Sequence, residues 1–588
     1  MIFSSETESR FGLGLACLII VASVVRILLS YGTTAQAFDE PCHVSAGIEF
    51  LNRGTYTLDP VHPTLARIAI GLPLLFSGER YPHLSDSDPG LNDYNVVGNH
   101  ILYDSGHFAH NLLLARLGVL PFFVLGVWIV YRWATHASGK LAAVVAVFLF
   151  CTAPAVLAFS SIAYTDIVAA STQLAAMFCF ALWLEAPSWK RTVWLAFGLG
   201  LAFLTKFTSL LYLPSACLFM ASVWMWKRHR NEPANWGTRS QQLFVAVMLA
   251  LLIVWGGYRF SVHHLHEATG ITASNLPSFQ HLPEPLRSPA RRLLLYDPVI
   301  PAPELLNGLA SAWFLNKNGT QSYLLEHTKT GGWWYFFLVA LGVKTPLPLI
   351  ILFGIGLVAL LARLELISAM PLASLFAVLL ITMRVSYQVG TRHVLVAMPL
   401  MSIIAGAGVA VLGERLYRSS SSASAHSIRN WRFASLVALL TLLLLWQGSE
   451  SLRSQSDFLS YFNQLAGKDP SAVLVMGCDL DCGEDLYRLA AELRQQHVDH
   501  VTLAIWSSAD ISHYGLPAYE IADPSKPLHG WIALSARASR TGDVLHQSVP
   551  TAYLARLNSE KPVGYVGRTI RLYHLPKLST MHDSRAIR

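Results

Sequence analysis

The sequence predicts a polytopic α-helical membrane protein of about eleven transmembrane helices with a small C-terminal α/β domain. Hydrophobic residues make up 53% of the 588 residues and charged residues only 13%, against roughly 25% charged residues in an ordinary soluble protein. Apolar segments near the roughly 20 residues needed to cross a bilayer recur along the chain. The net charge of +7 comes from short basic clusters beside these segments, which is typical of membrane orientation rather than of nucleic-acid binding.

The predicted spans are apolar segments that are each expected to form one helix. They cover residues 11–31, 111–131, 141–158, 167–184, 193–204, 207–226, 242–260, 346–363, 367–383, 394–412 and 432–448. The fifth segment is short, but a single helix over residues 193–226 would be about 51 Å long in a hydrocarbon core of about 30 Å. We therefore expect a break near Lys206.

The first span has an alternative interpretation as a cleaved signal peptide, because Ala35-Gln36-Ala37 resembles a signal-peptidase site. The residues before it are not basic, however, and the apolar stretch is longer than the roughly 7–15 residues of a signal-peptide core. These two features favour a retained transmembrane helix.

Lysine and arginine residues concentrate in alternate loops between the spans. By the positive-inside rule, those loops and the N-terminus face the cytoplasm. The predicted organisation is a membrane domain over residues 1–448, with outer loops at 32–110 and 261–345, followed by an extracytoplasmic α/β domain over residues 449–588.

The C-terminal region changes from apolar spans to short alternating segments. The stretches AVLVMG, VTLAIW, GWIALSA and TIRLYHL are typical of strands, and GEDLYRLAAELRQQ has apolar residues at helical spacing. These segments predict a small domain of mixed helices and strands.

Ionisable side chains from distant parts of the chain converge at the predicted outer face, where burying them without a function would be costly. The carboxylates are Asp39, Glu40 and Asp166, and the bases are Lys206, Lys344, Arg392, His43, His62 and His393. The arrangement as a whole, rather than any single residue, favours an active site.

Each class of residue also has an ordinary structural explanation. For the carboxylates it is helix capping, because Asp39 precedes Pro41 and Asp166 follows Thr165. For the lysines and the arginine it is a long side chain reaching lipid headgroups. The histidines are alternatively ordinary loop residues.

The residue types suit transfer of a group from a lipid phosphate. A carboxylate can take the proton of an acceptor hydroxyl as general base, and cations at headgroup level can stabilise a departing phosphate. Asp39, Glu40 and His43 form a D-E-x-x-H pattern, which alone is a weak indication of a divalent metal, so metal binding is left open.

The stretch FDEPCHVSAGIEFLNRGTYTLDPVHPTLARI resembles the first outer loop of the GT-C glycosyltransferases that use polyprenyl-phosphate sugars. That group includes the protein O-mannosyltransferases and the lipid A aminoarabinose transferase. The acidic pair and His62-Pro63 match the family pattern, although Thr64 stands where a second proline is expected.

Further motifs extend the resemblance over most of the chain. SSIAYTDI, FLTKFTSLLYLP, GGWWYFFLVALGVKTPLPL and YQVGTRHVLVAMPL resemble later motifs of bacterial members. SYFNQLAGK followed by CDLDCGEDLYRLAAEL resembles the start of an extracytoplasmic domain found in some of them. Cys478, Cys482 and Glu484 depart from the run expected there.

The resemblance implies a multi-pass enzyme of the bacterial inner membrane that transfers a sugar from a polyprenyl-phosphate donor, with inversion. Asp39 would be the catalytic base beside Glu40, and Asp166 would assist with the acceptor or a metal. Among the predicted substrate-binding residues, Lys206, Lys344 and Arg392 would contact the lipid phosphate, and the others are His43, His62 and His393.

The acceptor is left open between protein Ser/Thr, a lipid-linked glycan and an envelope polysaccharide, and no nucleic-acid partner is expected. The alternative function is a non-catalytic membrane binding protein or a transporter of lipid-linked glycans.

Seven cysteines are present, four of them in apolar segments, so no disulfide-rich framework is indicated. Cys478 and Cys482 lie four residues apart in a region expected to be oxidising. Whether they form a disulfide depends on the geometry of the turn between them and is left open.

Overall fold

The computed structural model describes residues 5–83, 90, 93–228, 236–266, 284–363, 366–420, 426–545 and 547–576. Parts of the predicted loops and the last residues of the predicted C-terminal domain, 577–588, lie outside this description. The helices are α1 (Ser5–Tyr31), α2 (Glu40–Ile48), α3 (Thr64–Phe76), α4 (Tyr94–Tyr103), α5 (Phe108–Leu117), α6 (Leu120–Cys151), α7 (Pro154–Ser160), α8 (Asp166–Glu185), α9 (Trp189–Phe203), α10 (Ser209–Arg228), α11 (Trp236–Gly257), α12 (Glu284–Tyr296), α13 (Pro303–Asn318), α14 (Phe336–Lys344), α15 (Leu347–Arg363), α16 (Leu366–Thr382), α17 (Ala397–Ser420), α18 (His426–Arg453), α19 (Pro470–Val473), α20 (Leu486–Gln495), α21 (Ala536–Thr541) and α22 (Thr551–Asn558).

The strands are short and lie in the second half of the sequence, apart from one that follows α11. They are β1 (Val262–His264), β2 (Val299–Pro301), β3 (Gln321–Leu324), β4 (His327–Thr330), β5 (His500–Ala504), β6 (Ala518–Ile521), β7 (Gly530–Ser535), β8 (Asp543–Val544), β9 (Gln547–Ser548), β10 (Gly564–Val566) and β11 (Ile570–Leu575). Strands β3 and β4 form an antiparallel hairpin.

The described helices make this a multi-pass membrane protein, and every predicted span falls on helical structure. Seven helical segments are long and apolar enough to cross a membrane, or eight if α14 and α15, bent by 116°, form one span. Helix α6 has left-handed backbone at Gly139 (φ 85°), which glycine adopts readily and which lies between two predicted spans. The total of eleven spans stays a prediction.

The break expected near Lys206 is confirmed, since α9 ends at Phe203 and α10 begins at Ser209. Close helix approaches elsewhere depend on small residues. A Cβ at Gly408 of α17 would overlap the backbone of Gly356 in α15, which is how membrane helices pack closely without large side chains.

The C-terminal region contains a five-stranded sheet in the order β10-β11-β7-β5-β6. Strand β5 is parallel to β6 and β7, whereas β11 is antiparallel to β7 and β10. Helix α20 buries the apolar residues Leu486, Leu489 and Leu493. The predicted strands VTLAIW, GWIALSA and TIRLYHL and the predicted helix are therefore confirmed.

The predicted strand AVLVMG is wrong. Pro470 begins the one-turn helix α19, and Asp469 caps it by accepting a hydrogen bond from Ser471 N–H. The carbonyls of Ala472 and Val473 then accept hydrogen bonds from the turn of the β3–β4 hairpin. These backbone groups are bonded to the hairpin, so the apolar segment does not join the sheet.

The chain between α1 and α2 is held by the C-terminal region. Ala35 N–H donates to the carbonyl of Glu484 at 2.9 Å, and Phe38 N–H donates to the carbonyl of Cys482 at 3.0 Å. The Ser508 hydroxyl donates to the carbonyl of Phe38 at 2.6 Å. The residue that precedes Asp39 is thus fixed by a part of the chain more than 400 residues away.

Candidate active site

Asp39 occupies the N-cap position of α2, but its side chain makes no capping hydrogen bond. Its Oδ2 instead forms an ion pair with Arg392 Nη1 at 2.5 Å. Its backbone N–H donates to the hydroxyl of Tyr164 at 2.8 Å. The capping explanation for this carboxylate is therefore wrong, and the side chain is placed for a charged partner.

Arg392 lies in a 3-10 turn, Thr391–Val394, that follows Gly390. Gly390 has a φ of 92°, and a Cβ there would overlap the carboxylate of Asp479. Thr391 N–H donates to the same carboxylate at 2.9 Å. Burial alone would lower the pKa of the Arg392 guanidinium, but the charges of Asp39 and Asp166 outweigh it and the pKa is raised.

Asp166 and Lys206 form a second carboxylate–cation pair. Asp166 begins α8 and Lys206 lies in the break between α9 and α10, and Lys206 Nζ is 2.5 Å from Asp166 Oδ1. Both side chains are buried, so Lys206 does not reach for lipid headgroups. Arg392 and Asp39 both lie within electrostatic range of Lys206, which makes the two pairs one charged cluster.

Three histidine side chains, His43, His62 and His393, lie within electrostatic range of this cluster. His43 and His62 have ring centroids 5.5 Å apart, and burial together with the charge of Arg67 holds the pKa of each well below its usual range. Burial and the charges of Lys206 and Arg392 do the same to the pKa of His393. Neutral imidazoles can accept hydrogen bonds, and His43 Nδ1 has no partner among the described residues.

Glu40 does not share the environment of Asp39. It is fully buried and paired with Arg116 through two bonds of 2.8 and 2.9 Å. It also accepts backbone hydrogen bonds from Ala37 and Ala163, each at 2.8 Å. These four bonds occupy both oxygens and hold the loop, and the catalytic role expected of Glu40 stays a prediction.

Lys344 likewise differs from the expected phosphate contact. It is buried, and its ammonium donates to the carbonyl of Leu459 at 2.6 Å and to the carbonyl of Asp479. It lies over the ring of Phe462 at 4.4 Å. Lys344 thus fastens α14 to the C-terminal region, and it does not join the charged cluster.

A metal site formed by Asp39, Glu40 and His43 has no support in the described residues. Among the described residues, the one group of three potential metal ligands that converge is His264, His266 and Asp297. Their ligand atoms all lie within 4.8 Å of one another. A set of two imidazoles and a carboxylate could hold a transition metal such as zinc. It belongs to the segment around β1 and β2 rather than to the cluster at Asp39.

Cys478 and Cys482 form a disulfide, which answers the question that their spacing left open. The hydroxyl of Tyr164 lies 3.3 Å from each sulfur. Because the same hydroxyl accepts the backbone N–H of Asp39, Tyr164 links the disulfide to the candidate catalytic carboxylate.

A cavity of about 510 Å³ opens beside Asp39 and Arg392. Its walls come from three parts of the chain: the β3–β4 hairpin, the segment before Arg392, and the C-terminal region. The C-terminal wall includes Trp506, which stacks on Phe38 at 4.0 Å and carries Arg537 on its ring at 3.7 Å.

Sequence reasoning missed several residues of this site. Arg116 is an ionisable residue inside an apolar segment, a signal that could have identified it. Tyr164 lies within the motif SSIAYTDI, but nothing in its spacing indicates a contact with Asp39. Trp506 and Arg537 lie in an ordinary strand-and-helix pattern that carries no indication of a site.

Comparison with known proteins agrees with this architecture. Residues 108–263, which contain both Asp166 and Lys206, match the family model described as dolichyl-phosphate-mannose-protein mannosyltransferase. The apo oligosaccharyltransferase of Archaeoglobus fulgidus superposes with a TM-score of 0.50 and 12% identity, covering 94% of this chain and 73% of that one. The chain has a GT-C fold. The resemblance to GT-C glycosyltransferases is therefore confirmed at the level of fold.

Two other GT-C structures are also similar. ArnT from Cupriavidus metallidurans bound to undecaprenyl phosphate has 13% identity and a TM-score of 0.46, covering 95% of this chain and 98% of that one. The protein O-mannosyltransferase Pmt1–Pmt2 complex of S. cerevisiae bound to the sugar donor has 16% identity and a TM-score of 0.30, covering 44% and 33%. No curated protein sequence is detectably similar to this chain.

Proposed function

We propose that this chain is a membrane glycosyltransferase that moves a sugar from a polyprenyl-phosphate carrier to an acceptor hydroxyl, with inversion. The observation that carries the proposal is the pairing of Asp39 with Arg392 at a polar cavity, with the Asp166–Lys206 pair within electrostatic range. A base and a set of cations are what displacement of a phosphate requires. The matched mannosyltransferase family model supports the lipid-phosphate donor.

In the proposed reaction, Asp39 accepts the proton of an acceptor hydroxyl as its oxygen attacks the anomeric carbon. The new carbon–oxygen bond forms as the bond to the phosphate oxygen breaks, and the polyprenyl phosphate leaves with the electron pair of that bond. Arg392 and Lys206 stabilise the negative charge on the leaving group. A single displacement of this kind inverts the anomeric configuration and needs no separate general acid.

The other predicted residues take supporting positions in the proposal. Asp166 orients Lys206 through their 2.5 Å contact, and Glu40 positions the loop that carries Asp39 through its bonds to Arg116. His43, His62 and His393 are neutral hydrogen-bonding groups for donor or acceptor. Lys344 is proposed as an anchor of the C-terminal region.

The proposed location is a bacterial inner membrane, with the cavity and the C-terminal region on the extracytoplasmic side. The asymmetric distribution of basic residues supports this orientation. The membrane domain over residues 1–448 and the extracytoplasmic domain over 449–588 remain the proposed division of the chain.

The test compares extracytoplasmic glycoconjugates by mass spectrometry in cells carrying the native chain or Asp39→Asn at matched membrane levels. One species is expected to lose a single sugar mass in the variant, because a general base contributes roughly 10²–10⁴-fold. Asp104→Asn is the matched control, since Asp104 lies in the same loop but is 62% exposed and pairs with His100.

Unchanged glycoconjugates in a correctly inserted Asp39→Asn variant would remove the carboxylate from the mechanism. A binding protein or a transporter of lipid-linked glycans would then be the better explanation. A loss in Asp104→Asn equal to that in Asp39→Asn would show that any change in the loop disturbs the protein.

A further inference from the structure

A second cavity, of about 490 Å³, lies in the C-terminal region. Most of its wall comes from the segment that follows α18, residues 460–471, and from the turn between β10 and β11. It shares no described lining residue with the cavity beside Asp39. The proposed glycosyl transfer therefore gives this second cavity no role.

The second cavity is level with the end of a membrane helix. The apolar part of α18 covers residues 434–453 and is about 30 Å long, so Glu450 in its last turn lies near the bilayer surface. Gln464 in the cavity wall donates to Glu450 at 3.0 Å. The adjacent Asn463 donates to the carbonyl of Thr345 at 2.6 Å, at the bend between α14 and α15. Two neighbouring wall residues thus place the cavity at the level of lipid headgroups.

The lining carries a positive charge. Among the described lining residues, the cations are Lys468, Arg568 and Arg571, and the carboxylate is Asp469. Three positive charges against one negative charge leave +2. Asp469 also pairs with Arg540, which lies outside the cavity, at 2.8 Å, so it compensates the lining cations only in part.

Two of these cations are accessible and have unused hydrogen-bond donors. The Arg568 side chain is 43% exposed, and its Nε is 3.6 Å from Asp457 Oδ2, which is beyond hydrogen-bonding distance. Lys468 is exposed, and the described part of the chain offers it no ion-pair partner. A guanidinium has five N–H donors and an ammonium has three, so these two side chains can bind an anion without breaking an internal hydrogen bond.

The neutral side chains of the wall are less available. Asn463 donates to the carbonyls of Gly342 and Thr345, each at 2.6 Å. The Thr569 hydroxyl donates to Asp485 at 2.6 Å. A neutral hydrogen-bonding ligand would have to displace these internal partners, whereas an anion meets two cations with free donors. The wall therefore favours an anionic ligand.

Exposed apolar side chains lie next to the cations. Tyr565 lines the cavity and is 68% exposed, and Leu465, which follows Gln464 in the chain, is 65% exposed. Aromatic residues are enriched at the membrane–water interface, and a leucine at this level is stabilised by contact with acyl chains. A ligand with an anionic head and apolar chains matches both kinds of side chain, whereas a soluble anion matches only the cations.

We propose that this cavity binds the phosphate of an anionic phospholipid headgroup, with Lys468 and Arg568 contacting the phosphate and Leu465 and Tyr565 contacting the apolar part of the lipid. Basic pockets beside transmembrane helices bind anionic headgroups through the same interactions. The bound lipid ties the β10–β11 turn to the membrane surface. The inference is independent of the proposed glycosyl transfer, because it involves neither Asp39 nor its cavity.

The experiment measures lipid binding to the purified, delipidated full-length chain in detergent by native mass spectrometry. The probes are phosphatidylglycerol, phosphatidylcholine with the same acyl chains, and glycerophosphoglycerol, which is the first headgroup without its chains. Phosphatidylglycerol is expected to bind at least about tenfold more tightly than phosphatidylcholine, because the cavity favours a net negative headgroup. Glycerophosphoglycerol at the same concentration should not displace it.

Variants test the two cations. Lys468→Gln and Arg568→Gln are each expected to weaken phosphatidylglycerol binding roughly 5-fold, and the double variant roughly 25-fold, from the usual gain per basic residue at a membrane surface. Arg453→Gln is the matched control, because Arg453 is 77% exposed at the end of α18 and lies outside the cavity. Its affinity should stay within about twofold of native. Equal thermal midpoints without added lipid would show that all the variants are folded.

Three results would overturn the proposal. Equal affinity for the two phospholipids, or native affinity in the double variant, would show that the cavity does not select an anionic headgroup. An equal loss in Arg453→Gln would mean that general surface charge attracts the lipid. Displacement by glycerophosphoglycerol would identify a site for a soluble phosphate ester instead. None of these results bears on sugar transfer, which is tested separately at Asp39.

Discussion

Asp39 and Arg392 are 353 positions apart in the chain, yet their side chains meet at 2.5 Å. The contact joins the loop that follows the first helix to the turn that precedes α17. It also places a guanidinium, with five N–H donors, beside a carboxylate and within electrostatic range of the buried Asp166–Lys206 pair. One arginine can thus orient the proposed base and remain within reach of a departing phosphate.

This arrangement predicts unequal effects of two substitutions at Arg392. Arg392→Gln removes the charge and should lower kcat about 10²–10³-fold, the cost typical of losing one preorganised donor to a developing anion. Arg392→Lys keeps the charge but loses the planar fork, so it should retain more activity than the glutamine variant. Both are measured as sugar transfer under saturating donor.

The control for these variants is Arg384→Gln, because Arg384 is an exposed arginine in the same segment. It should transfer sugar at the native rate. Equal activity of Arg392→Gln and the native chain would contradict a role for this guanidinium at the phosphate.

Glu40 is expected to affect stability rather than chemistry. Removing one partner of a buried ion pair leaves the other charge uncompensated and costs roughly 3–5 kcal/mol. Glu40→Gln and Arg116→Met should therefore each lower the thermal midpoint of the detergent-solubilised protein, while the double variant should lose less than the sum. Asp39→Asn, which alters a partly exposed pair, should keep a near-native midpoint.

Thermal midpoint and sugar transfer, measured together for Glu40→Gln and Asp39→Asn, distinguish a structural role from a catalytic one. A Glu40→Gln protein with a native midpoint but no sugar transfer would restore the catalytic role that the sequence suggested. A large midpoint loss in Asp39→Asn would mean that Asp39 is also structural.

The sequence predicts this site unevenly, and the reasons are physical. The sequence predicts Asp39, Asp166 and Lys206 as site residues because ionisable groups beside apolar spans are costly to bury. The pairing of Asp39 with Arg392 depends on helix packing that no local pattern encodes. In the sequence, Glu40 and Lys344 resemble the other predicted acidic and basic site residues. Only the three-dimensional structure shows that Glu40 is paired with Arg116 and that Lys344 is bonded to backbone carbonyls.

The C-terminal fold illustrates the same limit. Three strands and a helix follow from alternation and helical spacing, because those patterns report local burial. The segment AVLVMG has an equally apolar pattern, yet its carbonyls bond to the β3–β4 hairpin. Local sequence does not show whether the backbone groups of such a segment bond to the sheet or to the hairpin.

The disulfide is expected to affect catalysis by fixing the position of Asp39 through Tyr164. Tyr164 contacts both sulfurs at 3.3 Å and accepts the backbone N–H of Asp39. A displacement near 1 Å at a reacting group can cost about 10²-fold in rate. The double variant Cys478→Ser, Cys482→Ser should thus lower kcat roughly 10- to 100-fold with little change in either KM.

Alkylation checks the bridge itself, since Cys478 and Cys482 of the native protein should be alkylated only after the disulfide has been reduced. Reductant should slow the native enzyme and leave the double serine variant unaffected. Cys217→Ser, a substitution of a free cysteine in α10, serves as the control. Full native kcat after complete reduction would show that the bridge does not position Asp39.

Asp479 gives the junction between the C-terminal region and the Arg392 turn a defined pH dependence. Burial raises the pKa of this carboxyl to about 6 from 3.8, although Lys344 and the hydrogen bonds from Thr391 oppose the rise. The folded protein therefore binds this proton more tightly than the unfolded chain. The stabilisation is fully present below about pH 4 and is lost as the pH rises through about 6.

Two pKa units correspond to about 3 kcal/mol, which is the largest change in the free energy of unfolding expected from this group. The thermal midpoint of the native protein minus that of Asp479→Asn should fall as the pH increases from about 4 to about 7, because asparagine does not titrate. Asp499→Asn, an exposed site in the same region, should show no such trend. A difference that grows with pH would mean that Asp479 is stabilised as the anion by Thr391 and Lys344, and that burial is the weaker influence.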